Sequence, residues 1–217
     1  MSGRASCRVL TVNPSQPEPP LIEEASRIIC EGGLVAFPTE TVYGLAADAT
    51  NPSAIERLNR VKGRPPEKPY SIHLYDPAQI SAFVDEIPPL AKRLMEQFWP
   101  GPLTIVMPAR PGVLGAGGPA KGRGSVGFRL PSHPVAQALL RRCQRPVVAP
   151  SANRSGFPPP TDAKEALEAL DGQVACVLDA GPTPIGREST VVSVLGGRLE
   201  ILREGAITPE ALRAAVA

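Results

Sequence analysis

The chain has 217 residues, 42% of them hydrophobic and 20% charged, with a formal net charge of +2 at pH 7. No apolar stretch approaches membrane-spanning length and Met1–Leu10 holds no apolar signal core, so the expectation is a cytoplasmic protein without a membrane partner. Only two histidines and four scattered cysteines occur, with no CxxC pair, which argues against a histidine-built zinc site and against a disulfide framework; 4% aromatics also argue against ring-lined RNA modules.

Taken in chain order, residues 1–18 form a polar, proline-rich arm with a short edge strand at Arg8–Val12. Leu21, Ile22, Ala25, Ile28 and Ile29 repeat at helical spacing, and Gly32-Gly33 ends that helix. Leu34–Phe37 reads as a buried strand. Pro52–Val61 reads as a helix capped by Asn51. Ser71–Leu74 is strand-like, and helices follow near Pro77–Phe83 and Pro88–Phe98. Leu103–Met107 is a strand, Gly112–Gly124 a glycine-rich loop, Val126–Leu130 a strand, His133–Arg142 a helix and Val147–Ala149 a strand. Asp162–Leu170 is a helix and Val174–Leu178 a strand. Ser189–Leu195 and Leu199–Arg203 form a hairpin through Gly196-Gly197, and Thr208 caps a last helix with Pro209 at its first position. Strands mixed with helices, without an internal repeat, indicate an α/β (α+β) fold: a twisted, open mixed sheet with flanking helices, read as a single domain over 1–217.

Charge is unevenly placed. No carboxylate occurs between Glu96 and Asp162, whereas that stretch carries Arg110, Lys121, Arg123, Arg129, Arg141, Arg142, Arg145 and Arg154. A second basic cluster, Arg57 to Lys68, precedes it. The pattern predicts a positive face suited to phosphates or carboxylates, and arginine in excess of lysine favours bidentate oxyanion binding.

The familiar phosphate motifs do not fit. Gly122–Gly127 matches GxGxxG literally but runs into a strand instead of opening a helix, and no GxxxxGK[ST] exists. The 112–124 segment reads as a loop that offers Lys121 and Arg123, either as a lid or as plain surface. Three other segments have site character. Phe37–Leu45 puts Thr39 and Thr41 at a strand end. Lys62–Pro69 holds Lys62, Arg64 and Lys68 on a backbone stiffened by Pro65, Pro66 and Pro69. Pro150–Gly156 offers Ser151, Asn153 and exposed N–H groups after a strand. Ser189 and Arg203 bracket the predicted hairpin.

These residues, in this order, resemble the YrdC/Sua5/TsaC family of threonylcarbamoyl-adenylate synthases. The likeness rests on PTETVYGL at 38–45, KGRPPEKP at 62–69, His73, PGPLTIVM at 100–107, VGFRLP at 126–131, PSAN at 150–153 and ESTVV at 188–192. Tyr70 departs from the small aliphatic residue the family often has there, and 110–124 is richer in glycine. The resemblance implies a YrdC/RibB-like sheet with a positively charged concave face, in the short form without a second domain. It implies a nucleotidyltransferase: L-threonine, bicarbonate and ATP give threonylcarbamoyl-AMP, pyrophosphate and water, feeding the t6A modification at tRNA position 37. By the same resemblance Thr41, His73, Arg129, Ala149 and Ser189 surround threonine. Lys62, Arg64, Lys68, Ser125, Ser151, Asn153, Pro159 and Arg203 line the ATP site, with Lys62 and Arg64 closest to the chemistry. Mg²⁺ enters with ATP and no tightly bound organic cofactor is expected. tRNA and a t6A-transferase complex are the implied partners. His73 reads either as a substrate orienter or as a core histidine. Two other functions fit the same residues: an RNA-binding module without catalysis, and a paralogue that adenylates another carbamoyl substrate.

Overall fold

The computed structural model describes residues 7–65, 68–113, 124–170 and 172–216. The elements, in order, are β1 (Arg8–Thr11), α1 (Pro19–Cys30), β2 (Val35–Pro38), β3 (Tyr43–Asp48), α2 (Pro52–Lys62), β4 (Ile72–His73), α3 (Pro89–Phe98), β5 (Leu103–Pro108), β6 (Ser125–Arg129), α4 (Pro134–Cys143), β7 (Val147–Val148), α5 (Ala163–Leu170), β8 (Cys176–Asp179), β9 (Thr190–Ser193), β10 (Glu200–Arg203) and α6 (Pro209–Val216). The strands form one ten-stranded mixed sheet in the order β1-β8-β2-β3-β7-β4-β6-β5-β9-β10. The expected open α/β sheet with flanking helices is the architecture found.

The two halves of the sheet are covered differently, and the alternation of side chains shows how. In β2, Val35 and Phe37 pack with α1 and α4, whereas Ala36 packs with α2 and α5 on the opposite face. In β3, Leu45 and Ala47 join the α2/α5 side and Ala46 the α1/α4 side. Strands β2 and β3 in this half are buried on both faces, so they read as continuous apolar runs. The other half is not. Ile72 and Leu74, Leu103, Ile105 and Met107, Val126 and Phe128, and Val192 and Val194 all pack toward α3 and α6. The intervening residues, His73, Thr104, Val106, Gly127, Arg129 and Val191, line an open concavity instead.

Local chemistry sets the boundaries. The Asn51 side chain accepts hydrogen bonds from the backbone of Ser53 and Ala54, and Pro52 fits the first turn of α2. His133 caps α4 by accepting from Val135 N–H through Nδ1. Two expectations change. The segment near Pro77–Phe83 is a short 3₁₀ helix, Pro77–Ala82, started by an Asp76–Gln79 capping box; six residues anchored by buried Ile80 are too few to propagate an α-helix. No element is predicted over 43–48, yet Tyr43–Asp48 forms the six-residue strand β3, buried at every position and therefore without the alternation that marks a strand.

The acid-free stretch is largely answered by acids from its flanks. Arg110 meets Asp85, Arg129 meets Glu40, Arg142 meets Glu23 and Arg145 meets Asp48. Lys121 and Arg123, and most of the proposed 112–124 loop, lie outside the described residues.

Candidate anion-binding site

The uncovered half-sheet frames a cavity of about 300 Å³. None of its lining residues is helical: the walls are strand residues and the turns that follow strands or helices. Ligand groups placed there meet side chains fixed by a rigid sheet. Gly127 is a structural requirement at one wall, because a Cβ there would come within 2.6 Å of Ser71 Oγ.

The floor is a buried polar network. Arg129 donates from Nη2 to Glu40 Oε1 and to Thr41 Oγ1, each at 2.8 Å. Glu40 also accepts from Ser132 N–H at 3.1 Å, and Thr39 Oγ1 and Thr41 Oγ1 are 2.9 Å apart. Arg129 and Glu40 are each 5% exposed, so the pair is shielded from water and held by several partners. Arg129 Nε is buried and has no partner among the described residues. Beside it, His73 is buried with Nδ1 unpartnered; burial and the nearby Arg129 charge push its pKa down to about 3, so the ring is neutral at pH 7. A neutral imidazole and a free guanidinium N–H offer hydrogen bonds to a small polar ligand. Across the floor Ser189 Oγ lies 3.0 Å from Thr104 Oγ1.

The rim carries Arg64 and Arg203. Arg203 donates to Ser189 O and Oγ, at 2.8 and 3.2 Å, and pairs with Glu188. Arg64 donates to Pro69 O at 2.8 Å and lies over the Tyr70 ring. Ser125 and Ser151 complete the lining beside Ala149.

Arg64, His73, Ser125, Arg129, Ala149, Ser151, Ser189 and Arg203 thus converge on one cavity from six places in the chain. Other predicted residues stand behind or away from it. Thr41 is fully buried and reaches the site through Arg129. Lys62 donates from Nζ to Ser151 O at 2.5 Å, Asn153 O at 2.6 Å and Asn153 Oδ1 at 3.3 Å. It therefore ties α2 to the Ser151 turn from behind, and burial with the nearby Arg64 charge lowers its pKa to about 8. Asn153 shares this clasp and also donates to Phe157 O at 2.6 Å. Lys68 is exposed and does not line the cavity. Pro159 lines a second concavity, with Phe157 and Pro160.

The sequence reading missed Glu40, Thr104, Tyr70 and Glu188. Glu40 sits between the two threonines already singled out, and its partner lies 89 residues away, so no local spacing marks it. Thr104 is legible in retrospect as the polar residue between buried Leu103 and Ile105.

The model of the Sua5/YciO/YrdC family, described as telomere recombination, matches residues 27–205. A Bacillus subtilis protein named threonylcarbamoyl-AMP synthase is 44% identical over 197 residues, covering 91% of this chain and 57% of that protein. The crystal structure of Pyrococcus abyssi Sua5 complexed with L-threonine superposes with a TM-score of 0.90 at 39% identity, over 96% of this chain and 60% of that one. Escherichia coli YciO superposes with a TM-score of 0.85 at 25% identity, over 95% of this chain and 99% of that one. The chain spans somewhat over half the length of the Bacillus and Pyrococcus relatives. With the sequence likeness and the shared architecture together, the chain belongs to the Sua5/YciO/YrdC family.

Proposed function

We propose that the chain is an L-threonylcarbamoyladenylate synthase, which condenses L-threonine, bicarbonate and ATP to threonylcarbamoyl-AMP with release of pyrophosphate and water. The observation that carries this reading is a single cavity with two cationic stations: Arg129 on a buried floor, Arg64 and Arg203 at the rim. A floor station sized for a small acid beside a rim suited to phosphates fits an amino acid next to a nucleotide. The relatives named for this activity, and the relative crystallised with L-threonine, support the same reading.

In this reading the threonine carboxylate meets Arg129, and His73 and Ser189 orient its polar atoms. The neutral amine takes up bicarbonate, with loss of water, to give a carbamate. A carbamate oxygen then attacks the α-phosphorus and pyrophosphate leaves. Charge grows on phosphate oxygens, where Arg64 and Arg203 stabilise it. Lys62 and Asn153 keep the Ser151 turn in place, so they act on the nucleotide through that turn. The lining offers hydroxyls and guanidinium groups, and among the described residues its carboxylate, Glu188, is engaged by Arg203. That donor set fits Mg²⁺ brought in on the triphosphate, where it would neutralise phosphate charge. The product would serve t6A synthesis on tRNA in the cytoplasm through a partner transferase.

The test is pyrophosphate release from ATP with Mg²⁺. Release that requires both L-threonine and bicarbonate supports the reading. Salt-dependent RNA binding with no pyrophosphate would instead indicate a binding module. Release with another carbamoyl substrate, and none with threonine, would indicate a differently specific adenylating enzyme.

A further inference from the structure

Arg64 is held at the cavity rim by an arrangement that closes on itself. Gly63, with φ of +57°, ends α2 in the left-handed region and turns the chain toward the rim. Arg64 N–H then donates to Asn59 O at 3.0 Å. Its guanidinium donates from Nη2 to Pro69 O at 2.8 Å and lies 4.9 Å from the centroid of the Tyr70 ring. Tyr70 is 5% exposed, and its hydroxyl donates to Asn59 Oδ1 at 2.7 Å. Asn59 therefore fixes both the backbone of Arg64 and the ring against which its side chain lies. Arg64 Nε, buried, has no partner among the described residues. Arg64 and Tyr70 both line the cavity.

We infer that Tyr70 is a positioning residue: its ring, locked by Asn59, sets the Arg64 guanidinium in one orientation, ready for an anionic ligand. A long arginine otherwise loses rotamer freedom when it engages a ligand, and that cost lowers affinity. A ring face removes part of the cost beforehand and is selective for a delocalised planar cation. Tyr70 contributes the apolar face and the Asn59 bond keeps that face from turning.

The affinity arm of the test rests on the nucleotide reading of the cavity; the spectroscopic arm does not. In ¹⁵N-labelled protein, the Arg64 Nε–Hε signal, assigned by its loss in R64K, should be sharp and ring-shifted in wild type; Y70F, which keeps the ring but loses the Asn59 bond, should keep the shift and broaden. In Y70L the signal should move toward the free-arginine position and exchange with water. An Arg64 signal unchanged in Y70L, or already averaged in wild type, overturns the inference. By calorimetry with Mg-ATP, Y70L should weaken binding about five- to thirty-fold. Y70F should stay within about threefold, and L-threonine affinity within about twofold. In an R64A background Y70L should add nothing; a further loss of the same size overturns the inference, since Tyr70 would then act without Arg64. Wild type that binds no ATP defeats the nucleotide reading, while the Arg64 signal still decides the role of Tyr70. Tyr70→Met, nearer in length, replaces Y70L if that variant does not fold.

Discussion

Two arginine–glutamate pairs flank the same cavity at the same separation. Arg129–Glu40 and Arg203–Glu188 both close at 2.8 Å, yet their side chains are 6% and 7% exposed in the first and 42% and 32% in the second. Distance alone would rate them equal. Water does not: the rim pair is screened and costs little to break, whereas the floor pair has shed its hydration and each charge depends on the other. The floor is therefore built as a fixed receptor, and the rim as a set of cations that can exchange their partners for a ligand.

The largest effect should come from removing the floor carboxylate. Glu40→Ala leaves Arg129 buried and unneutralised, and should cost about 3–5 kcal/mol in denaturant unfolding, together with L-threonine binding. A cost near zero would mean that water reaches the floor. At the rim, Arg64→Ala should leave the unfolding midpoint nearly unchanged but lower the rate of pyrophosphate release about 10²–10³-fold, as for one lost charge-stabilising donor. Wild-type rates would mean that Arg64 does not act on the reacting phosphate.

The buried His73 gives the floor a pH signature. Its folded pKa, about 3, lies below its ordinary value of 6.5. Between those values the unfolded chain binds a proton that the native protein refuses, so stability falls as the pH falls. Between pH 6.5 and 5 the wild type should lose about 2 kcal/mol more than His73→Asn, read from urea midpoints; the variant keeps the loss that burial of His133 brings. The smallest effect should follow Glu188→Ala, at most about 1 kcal/mol of stability, because its pair is half in water. A cost matching that of Glu40→Ala would erase the distinction between floor and rim.

The segments that meet at the cavity were visible as separate pieces. Thr41, Arg64, Ser151 and Arg203 each stand at the end of an element, where polar side chains combine with proline stiffening or exposed backbone donors, and such combinations are local. What each side chain touches is not local. Lys62 has the look of a phosphate ligand in the sequence, yet its ammonium is taken up by three oxygens of residues 151–153. Tyr70 looks like a departure from a pattern and turns out to be the face against which Arg64 rests. The basic stretch 97–161 looks uniformly cationic until Asp48, Glu40, Asp85 and Glu23 fold back onto it.

Most element types and their order, the strand β3 and the 3₁₀ helix at 77–82 apart, were written in the chain itself, because caps, proline positions and apolar period act within a few residues and need no partner. The hairpin β9–β10, the capped helix α2 and the edge strand β1 follow from that alone. Which face of the half-sheet β4-β6-β5-β9-β10 stays bare, and which arginine loses its water, could emerge only when α3 and α6 covered the opposite face. Burial is a property of the assembled layers, and burial is what separates a fixed charge on the floor from a replaceable one at the rim.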